Sequence, residues 1–217
     1  MHQVVFELQG VTELPLQLDS SDPDVLADAM RIYNGKPLVN SVNGEQKVLD
    51  AVLPLCKKYG AAVIGLTLDE NGIPMRADER FEIAQRIVAA CDAAGIPRRD
   101  IYIDCLTLTA SAQQKEVAET LKAIRMVKEQ LGVRTVLGVS NISFGLPCRE
   151  LLNQSFLTMA AAAGLDLAIV NPNVESMMDA VRAADVLLNR DKKAARYLAA
   201  YAGAQPAAKT ATKKEIT

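Results

Sequence analysis

Five short apolar stretches in this chain each end in polar residues at the point where a helix is about to begin. The clearest is Val133–Ser143, where an apolar, strand-forming centre around Leu137 is followed by polar residues and then by a loop containing Gly and Pro. Its polar residues are Ser140, Asn141 and Ser143. The other four stretches are Pro15–Ser20, Pro37–Ser41, Val63–Asp69 and Ile101–Asp104. Each is typical of a buried strand that presents Asp, Asn or Ser at its carboxyl end.

Helical periodicity alternates with these strands along the chain. A sixth apolar stretch, Leu165–Val170, predicts a further strand. Helices are predicted over residues 1–11, 20–33, 44–59, 77–94, 111–131 and 149–163, with a broken pair over 174–202. The chain therefore offers about six strand-then-helix units, which predicts a parallel sheet with right-handed crossovers.

Polar groups at the carboxyl ends of several successive parallel strands favour a barrel. An open, doubly wound sheet would bind its ligand mainly at one switch point. A closed barrel of this kind has eight strands, whereas six are predicted here, and the chain opens inside a helical stripe. We therefore expect a (β/α)8 TIM barrel that is N-terminally incomplete, spanning residues 1–203. Residues 204–217 have the small, polar and basic composition of a linker-like tail.

The amino-acid composition excludes some classes of binding partner and indicates where in the cell the protein is found. The chain has 217 residues, half of them apolar, and a formal net charge of −2, so neither nucleic acid nor an anionic membrane is expected as a partner. No apolar run reaches the length of a membrane span and no signal peptide is evident, which predicts a cytoplasmic protein. The four cysteines form no Cys-x-x-Cys pair and are expected to be free thiols, mostly in the core. With His2 the single histidine, no metal site is predicted.

Several segments, evenly spaced through about residues 1–190, together resemble one known family. These segments are Leu18–Ser20, Val39–Asn43, Gly65–Asp69, Tyr102–Asp104, Gly138–Ser143, Phe144–Pro147 and Asn153–Leu157. They resemble the pterin-binding methyltransferases, which include the methyltetrahydrofolate:corrinoid protein methyltransferases and the folate domain of cobalamin-dependent methionine synthase.

The resemblance implies a barrel of the dihydropteroate synthase-like type that binds N5-methyltetrahydrofolate at the strand carboxyl ends. It further implies that the methyl group passes to Co(I) of cobalamin or another corrinoid, carried by a partner protein or domain. Asp19, Asn40 and Asp104 match the family's pterin contacts, and Asn141 matches the catalytic asparagine beside N5. Cys105 stands where family members usually have proline. The remaining candidates for substrate binding are Asp69, Ser140 and Gly138.

The chemistry of these residue types agrees with that assignment. A pterin presents N3–H and a 2-amino group side by side, and a carboxylate such as Asp104 or Asp19 accepts both through its two oxygens. Neutral N5 is a poor leaving group, so the site must favour positive charge on N5 as its bond to the methyl carbon breaks. The Asn141 amide can hydrogen-bond N5. Taken singly, however, Asp19, Asp69 and Asp104 are equally well explained as caps of the following helices.

Two alternative functions remain open from the sequence. A dihydropteroate synthase-like enzyme would share the fold and the pterin site, but that family carries Ser-Arg-Lys where this chain has Ser140, Asn141 and Ile142. The chain is alternatively an inactive or partial barrel that needs another polypeptide. Because a sheet with two strands absent has free edges, we expect a homodimer or association through the open barrel edges.

Overall fold

A computed structural model describes residues 1–203 and contains one six-stranded sheet in the order β1-β2-β3-β4-β5-β6. Every pair of neighbouring strands is parallel. The strands are β1 Gln17–Asp19, β2 Leu38–Asn43, β3 Ala62–Leu66, β4 Ile101–Asp104, β5 Arg134–Gly138 and β6 Leu167–Ile169. The sheet curls into part of a barrel, which confirms the predicted fold class. The tail predicted for residues 204–217 lies outside the described residues.

Eight α-helices accompany the strands within these 203 residues. They are α1 His2–Gln9, α2 Pro23–Ile32, α3 Gln46–Tyr59, α4 Ala77–Ala93, α5 Glu116–Met126, α6 Arg149–Ala163, α7 Glu175–Leu187 and α8 Ala195–Tyr201. Shorter helical turns are the 3-10 segments Arg98–Asp100, Val139–Ser143 and Lys192–Ala194 and a π-helical turn at Val127–Leu131. In this part of the chain no helix is both long enough and apolar enough to cross a membrane.

Local sequence sets where these helices begin and end. Asp22 precedes α2, and its Oδ1 accepts the Asp24 N–H at 2.9 Å, while Pro23 occupies the first helical position. Gly60 ends α3 with φ of +66°, a left-handed conformation in which glycine pays no steric cost. The helix predicted from residue 111 instead begins at Glu116, because the preceding loop bonds a neighbouring segment: Ala110 N–H donates to the Ile142 carbonyl at 2.9 Å.

The register divides the sheet into an outer face and an inner face. Side chains on the outer face are at most 1% exposed, because helices cover them; they are Leu18, Val39, Val63, Ile101, Ile103, Thr135 and Leu137. Helix α4 approaches this face so closely at Gly65 that a Cβ there would lie 2.7 Å from Ile87 Cγ2. The backbone at Gly65 thus contacts α4 directly.

The inner face is open at its two edge strands. Among residues 1–203, β1 pairs only with β2 and β6 only with β5, so each has one free ladder side. Leu167 and Ile169 of β6 are 37% and 38% exposed, and a cavity of about 440 Å³ lies between β6 and α7. Apolar side chains that a closed barrel would cover therefore face solvent here.

The cysteines follow the expectation for three of four positions. Cys56, Cys91 and Cys105 are buried free thiols. Cys148 is the exception to thiols expected mostly in the core: it is exposed, in a left-handed conformation directly before α6. The preceding residues Gly145 and Pro147 lie on the surface, and Cys148, which follows them, is therefore also on the surface.

Candidate functional site

Strand register brings four of the predicted site residues to the inner face. Asp19 pairs with Asn40, and Asn40 pairs with Ile64, which in turn pairs with Tyr102. Side chains two residues apart share a face, so Asp104 lies on the same face as Tyr102. Asp104 pairs with Val136, and Gly138 is two residues further along β5. The candidate residues of β1, β2, β4 and β5 therefore share one face, at the carboxyl ends of their strands.

Asp19 and Asn40 form a hydrogen-bonded pair across the β1–β2 ladder. Asn40 Nδ2 donates to Asp19 Oδ2 at 2.9 Å. Asp19 is exposed and Asn40 half-buried, and the peptide bond between Asn40 and Ser41 is cis. Among the described residues, Asp19 Oδ1 and the side-chain oxygen of Asn40 have no hydrogen bond, so both remain available as acceptors.

Asp104 is the buried carboxylate of the site, with 7% of its surface exposed. Its Oδ1 accepts the Leu106 N–H at 2.7 Å. Burial raises the pKa of Asp104 to about 6, because a charge is costly out of water, while hydrogen bonds from the Leu106 and Gly138 N–H groups and the more distant Arg80 cation oppose that rise. Near neutral pH the group is therefore mostly ionised, with a pKa only slightly below the pH.

Asn141 lies in the 3-10 turn Val139–Ser143 that follows β5, and its side chain folds back toward the strand. A Cβ on Gly138 would lie 3.1 Å from Asn141 Nδ2. Glycine at position 138 therefore leaves the room that the Asn141 amide occupies. Since the Gly138 N–H also acts on the Asp104 carboxylate and lowers its pKa, the three residues form one group. Asn141 and Ser140 are exposed, so their side chains are open to a ligand.

Neighbouring segments brace this turn. Arg149 of α6 donates from Nε to Ser143 Oγ at 3.0 Å and from Nη2 to the Ser140 carbonyl at 3.0 Å. On the other side, Thr109 and Ser111 donate to the Phe144 carbonyl at 2.6 and 3.0 Å. The turn is thereby fixed from two elements, and this fixes the Asn141 backbone.

Asp69 stands apart from that group. Its Oδ1 accepts the Asn71 N–H at 3.0 Å and its Oδ2 accepts from Arg86 at 3.2 Å. These two bonds lower the pKa of Asp69, chiefly the one from the Asn71 N–H. The contacts are those of a residue that braces its own loop; Asp69 is not the helix cap that was the structural alternative, because α4 begins only at Ala77. A substrate-binding role for Asp69 stays a prediction without support from its contacts.

Three supporting residues were not identified from the sequence. Thr67 is fully buried and donates to the Asp104 carbonyl at 3.2 Å, and Arg149 braces the β5 turn. Arg80 of α4 is also fully buried, although it is an arginine. The signal for Arg80 was present: it continues the apolar stripe of α4, three residues after Ala77 and four before Ala84.

The arrangement offers acceptors on two sides of a polar surface. Two inter-strand spacings separate β2 from β4, roughly 10 Å along the sheet, so the Asp19–Asn40 pair and Asp104 lie on either side of β3 on the inner face. This distance suits a flat heterocycle that is hydrogen-bonded along both edges. Within residues 1–203, no three His, Cys, Asp or Glu side chains converge as a metal-binding group.

Comparison with known proteins connects this geometry to a family. A model of pterin binding enzymes matches residues 1–171. The methylcorrinoid:tetrahydrofolate methyltransferase of Eubacterium limosum is 32% identical over 197 residues, which cover 89% of this chain and 73% of that protein. The methionine synthase of Mycobacterium leprae is 37% identical over 184 residues, covering 79% of this chain but only 15% of that longer protein.

Solved structures show the same fold at low sequence identity. A dihydropteroate synthase from Yersinia pestis, in complex with a pterine-sulfa conjugate, superposes with a TM-score of 0.68 at 18% identity, covering 87% of this chain and 74% of that one. The 7,8-dihydropteroate synthase of Vibrio fischeri ES114 gives a TM-score of 0.63 at 16% identity, covering 88% and 73%. At such identities the likeness concerns the fold alone.

Proposed function

This chain belongs to the family of pterin binding enzymes, and we propose that within it the chain transfers the methyl group of N5-methyltetrahydrofolate to Co(I) of a corrinoid. Its curated relatives are methyltransferases, which confirms the predicted enzyme class. The observation that carries the proposal is the buried Asp104 carboxylate, which shares the inner face with the neutral Asn141 amide beside Gly138. A relative named methylcorrinoid:tetrahydrofolate methyltransferase favours methyl transfer between a corrinoid and a folate over other pterin chemistry, although its name gives the reverse direction, from the corrinoid to the folate.

In the proposed complex Asp104 binds the donor edge of the pterin. Its carboxylate accepts N3–H and the 2-amino group, and its burial strengthens both hydrogen bonds because little water competes. The Asp19–Asn40 pair bonds the pterin from the opposite side of the inner face. Ser140 and the backbone around Gly138 contact the ring at the end of β5.

Asn141 is the proposed catalytic residue. Its amide hydrogen-bonds N5 and stabilises the positive charge that N5 needs while its bond to the methyl carbon breaks. An amide does this without a titrating group, so no shifted pKa is required of Asn141. N5 takes up one proton from solvent; as the methyl group leaves, N5 keeps the bonding electron pair and ends as the neutral N–H amine of tetrahydrofolate.

The cobalt nucleophile would be supplied by a corrinoid on a separate protein or domain. The chain then needs no reactive Ser, Cys or His of its own, and its task is to hold the methyl group in line with the metal. The inner face is accessible at the carboxyl ends of the strands, where Asn141 and Phe144 are exposed. A corrinoid-bearing partner would approach from that side.

Calorimetry with N5-methyltetrahydrofolate on the full chain tests the proposal, together with loss of the Co(I) absorbance when a Co(I) corrinoid is added. Asp104→Ala should weaken binding by about 1.5–3 kcal/mol for each hydrogen bond to the charged carboxylate. Asp50→Ala, on the exposed side of α3, is the matched control and should bind as the wild type does. Unchanged affinity in Asp104→Ala would remove the assigned pterin edge.

An assay of the same protein for dihydropteroate formation distinguishes methyl transfer from the alternative pterin reaction. A dihydropteroate synthase-like enzyme would join a pterin diphosphate to an aromatic amine, and the turn after β5 offers Ile142 where that family has a cation. Arg149, which lies beside this turn, is engaged with the Ser140 carbonyl and Ser143. Formation of dihydropteroate in the assay, with no methyl transfer, would reverse the assignment.

A further inference from the structure

Arg80 is a buried cation that the proposed reaction does not use. It has no exposed surface, and it lies on the side of α4 that faces the core. Within residues 1–203, no carboxylate lies within ion-pair distance of its guanidinium. Burying an unpaired charge is costly, and burial lowers the pKa of Arg80 accordingly. An arginine at such a position calls for a reason other than packing.

The hydrogen bonds of Arg80 converge on the loop that follows Asp104. Nη1 donates to the Cys105 carbonyl at 3.0 Å, to the Leu106 carbonyl at 3.2 Å and to Thr120 Oγ1 of α5 at 2.7 Å. Nε donates to the Pro74 carbonyl at 2.7 Å, which ties the preceding β3–α4 loop to the same group. Nη2 is buried and has no hydrogen-bond partner. The guanidinium thus binds two consecutive carbonyls directly after the site carboxylate.

Leu106 is the residue on which these contacts act. Its φ is +61°, a left-handed conformation that is unfavourable for a bulky side chain and persists only when surrounding contacts impose it. In this conformation its N–H donates to Asp104 Oδ1 at 2.7 Å, while its carbonyl accepts from Arg80. The two ends of Leu106 are therefore held by the carboxylate on one side and the cation on the other.

We propose that Arg80 is a positioning residue for Asp104. It holds the Cys105 and Leu106 carbonyls, imposes the left-handed turn at Leu106 and so keeps the Leu106 N–H directed at the carboxylate. Through this turn it fixes the orientation in which Asp104 meets the donor edge of a pterin. The consequence for pterin binding rests on the proposed function, whereas the effect on Asp104 itself is a property of the ligand-free protein.

The charged groups around Arg80 and Asp104 determine how the loss of Arg80 should change the titration of Asp104. Arg80 is the cation that acts on Asp104, and the Cys105 thiol between them stays neutral because burial raises its pKa. Glu116 and Glu119 of α5 act on Arg80, and Asp19 faces Asp104 across the inner face. Loss of Arg80 removes a favourable charge and loosens the Leu106 bond, and both changes favour protonation of Asp104.

The test is a carbon-13 titration of the Asp104 carboxyl in the ligand-free full chain, with the resonance assigned by its loss in Asp104→Asn. In Arg80→Met the titration midpoint should rise by about one pH unit above that of the wild type, and Arg80→Lys should restore part of the difference. Arg86→Met is the matched control, because Arg86 lies on the same helix and pairs with Asp69 instead. Equal midpoints in wild type and Arg80→Met would overturn the proposal.

Thr120→Val provides a second variant in case Arg80→Met fails to fold. It removes the 2.7 Å acceptor of Arg80 Nη1 and keeps the cation, so a smaller rise of the midpoint is expected, and no rise would count against the proposal. Where the wild type binds N5-methyltetrahydrofolate, Arg80→Met should weaken binding about tenfold, but not in an Asp104→Asn background. A wild type that binds no folate would refute the proposed function, and the titration would still decide the role of Arg80.

Discussion

The buried Asp104 carboxyl makes the stability of the folded protein depend on pH. The ordinary pKa of an aspartate is 3.8, and burial raises that of Asp104 to about 6. Between these values the folded protein retains a proton that the unfolded chain has released, so stability falls as pH rises through this window. Above about pH 6 the cost is complete, and it amounts to at most roughly 3 kcal/mol.

Asp104→Asn should therefore stabilise the protein at neutral pH. Asparagine keeps an oxygen that accepts the Leu106 N–H and carries no buried charge. Urea unfolding at pH 7.5 should give a free energy of unfolding about 1–3 kcal/mol higher than that of the wild type, and the gain should vanish near pH 4. A gain independent of pH would mean that the charge is not its cause. The same variant should bind a pterin more weakly, which is a trade of function against stability.

Asn141 should matter more for the reaction rate than for binding. Its amide acts on charge that appears only as the bond between N5 and the methyl carbon loosens. We expect Asn141→Ala to lower the methyl-transfer rate by about 10²-fold or more in single-turnover measurements, with folate affinity changed much less. Asn34→Ala is the matched control, because Asn34 is exposed before the amino end of β2 and, among the described residues, only its backbone N–H is hydrogen-bonded. Equal losses of rate and affinity would make Asn141 a binding residue.

At the scale of single residues, the sequence identified the polar groups at strand ends but not their supports. Asp19, Asn40 and Asp104 end predicted strands, so the pattern placed them at carboxyl ends, whereas their roles in the site were implied by the family resemblance. Arg80 was missed because a charge on an apolar stripe is ordinarily expected to be solvated. Its acceptors are backbone carbonyls of another loop, and no local pattern specifies that loop.

Among the elements, α4 depends on glycine at one point of the sheet. A Cβ at position 65 would lie 2.7 Å from Ile87 Cγ2, so Gly65→Ala must displace α4, which also carries Arg80. We expect a loss of about 1–3 kcal/mol in urea unfolding, typical of overpacking, and partial recovery on adding Ile87→Ala.

Gly60→Ala separates this steric effect from backbone strain. No atom lies within 4 Å of a Cβ at Gly60, but its φ is +66°, so this variant should lose about 1 kcal/mol. Ile87→Ala should not rescue it. Rescue of both variants alike would contradict the steric explanation for Gly65.

Element order was predictable and element ends were less so. All six strands and the helices α1 to α8 lie where apolar periodicity places them, because most of these segments have caps or glycines at their ends. The segment before Glu116 and the turn after Gly138 differ from the expectation. In both places, hydrogen bonds to a segment distant in sequence replace those of the predicted regular element, as in the bond from the Ala110 N–H to the Ile142 carbonyl. Tertiary contacts of this kind leave no periodic signal.

At the scale of the whole molecule, the ladder sides of β1 and β6 that stay unpaired within residues 1–203 predict self-association. Unpaired ladder groups and the exposed Leu167 and Ile169 favour pairing with another chain. We expect the 217-residue chain to be larger than a monomer by light scattering at micromolar concentration. Charged substitutions Leu167→Lys and Ile169→Lys on β6 should reduce its mass, whereas Lys in place of the exposed Leu187 on α7 should not. A sharply melting monomer that binds N5-methyltetrahydrofolate would show that six units suffice.

The three-residue strand β1 carries Asp19, one member of the Asp19–Asn40 pair, and among residues 1–203 it pairs with β2 only. Short edge strands open locally at a small fraction of the global unfolding energy, so amide hydrogens of β1 should exchange with solvent well before those of β4. A ligand that bridges Asp19 and Asp104 would have to order β1 as it binds, and part of its affinity would be spent on that ordering. The site would then be rigid at Asp104 and ordered by its own substrate at Asp19, and slowed amide exchange in β1 would report that the site is occupied.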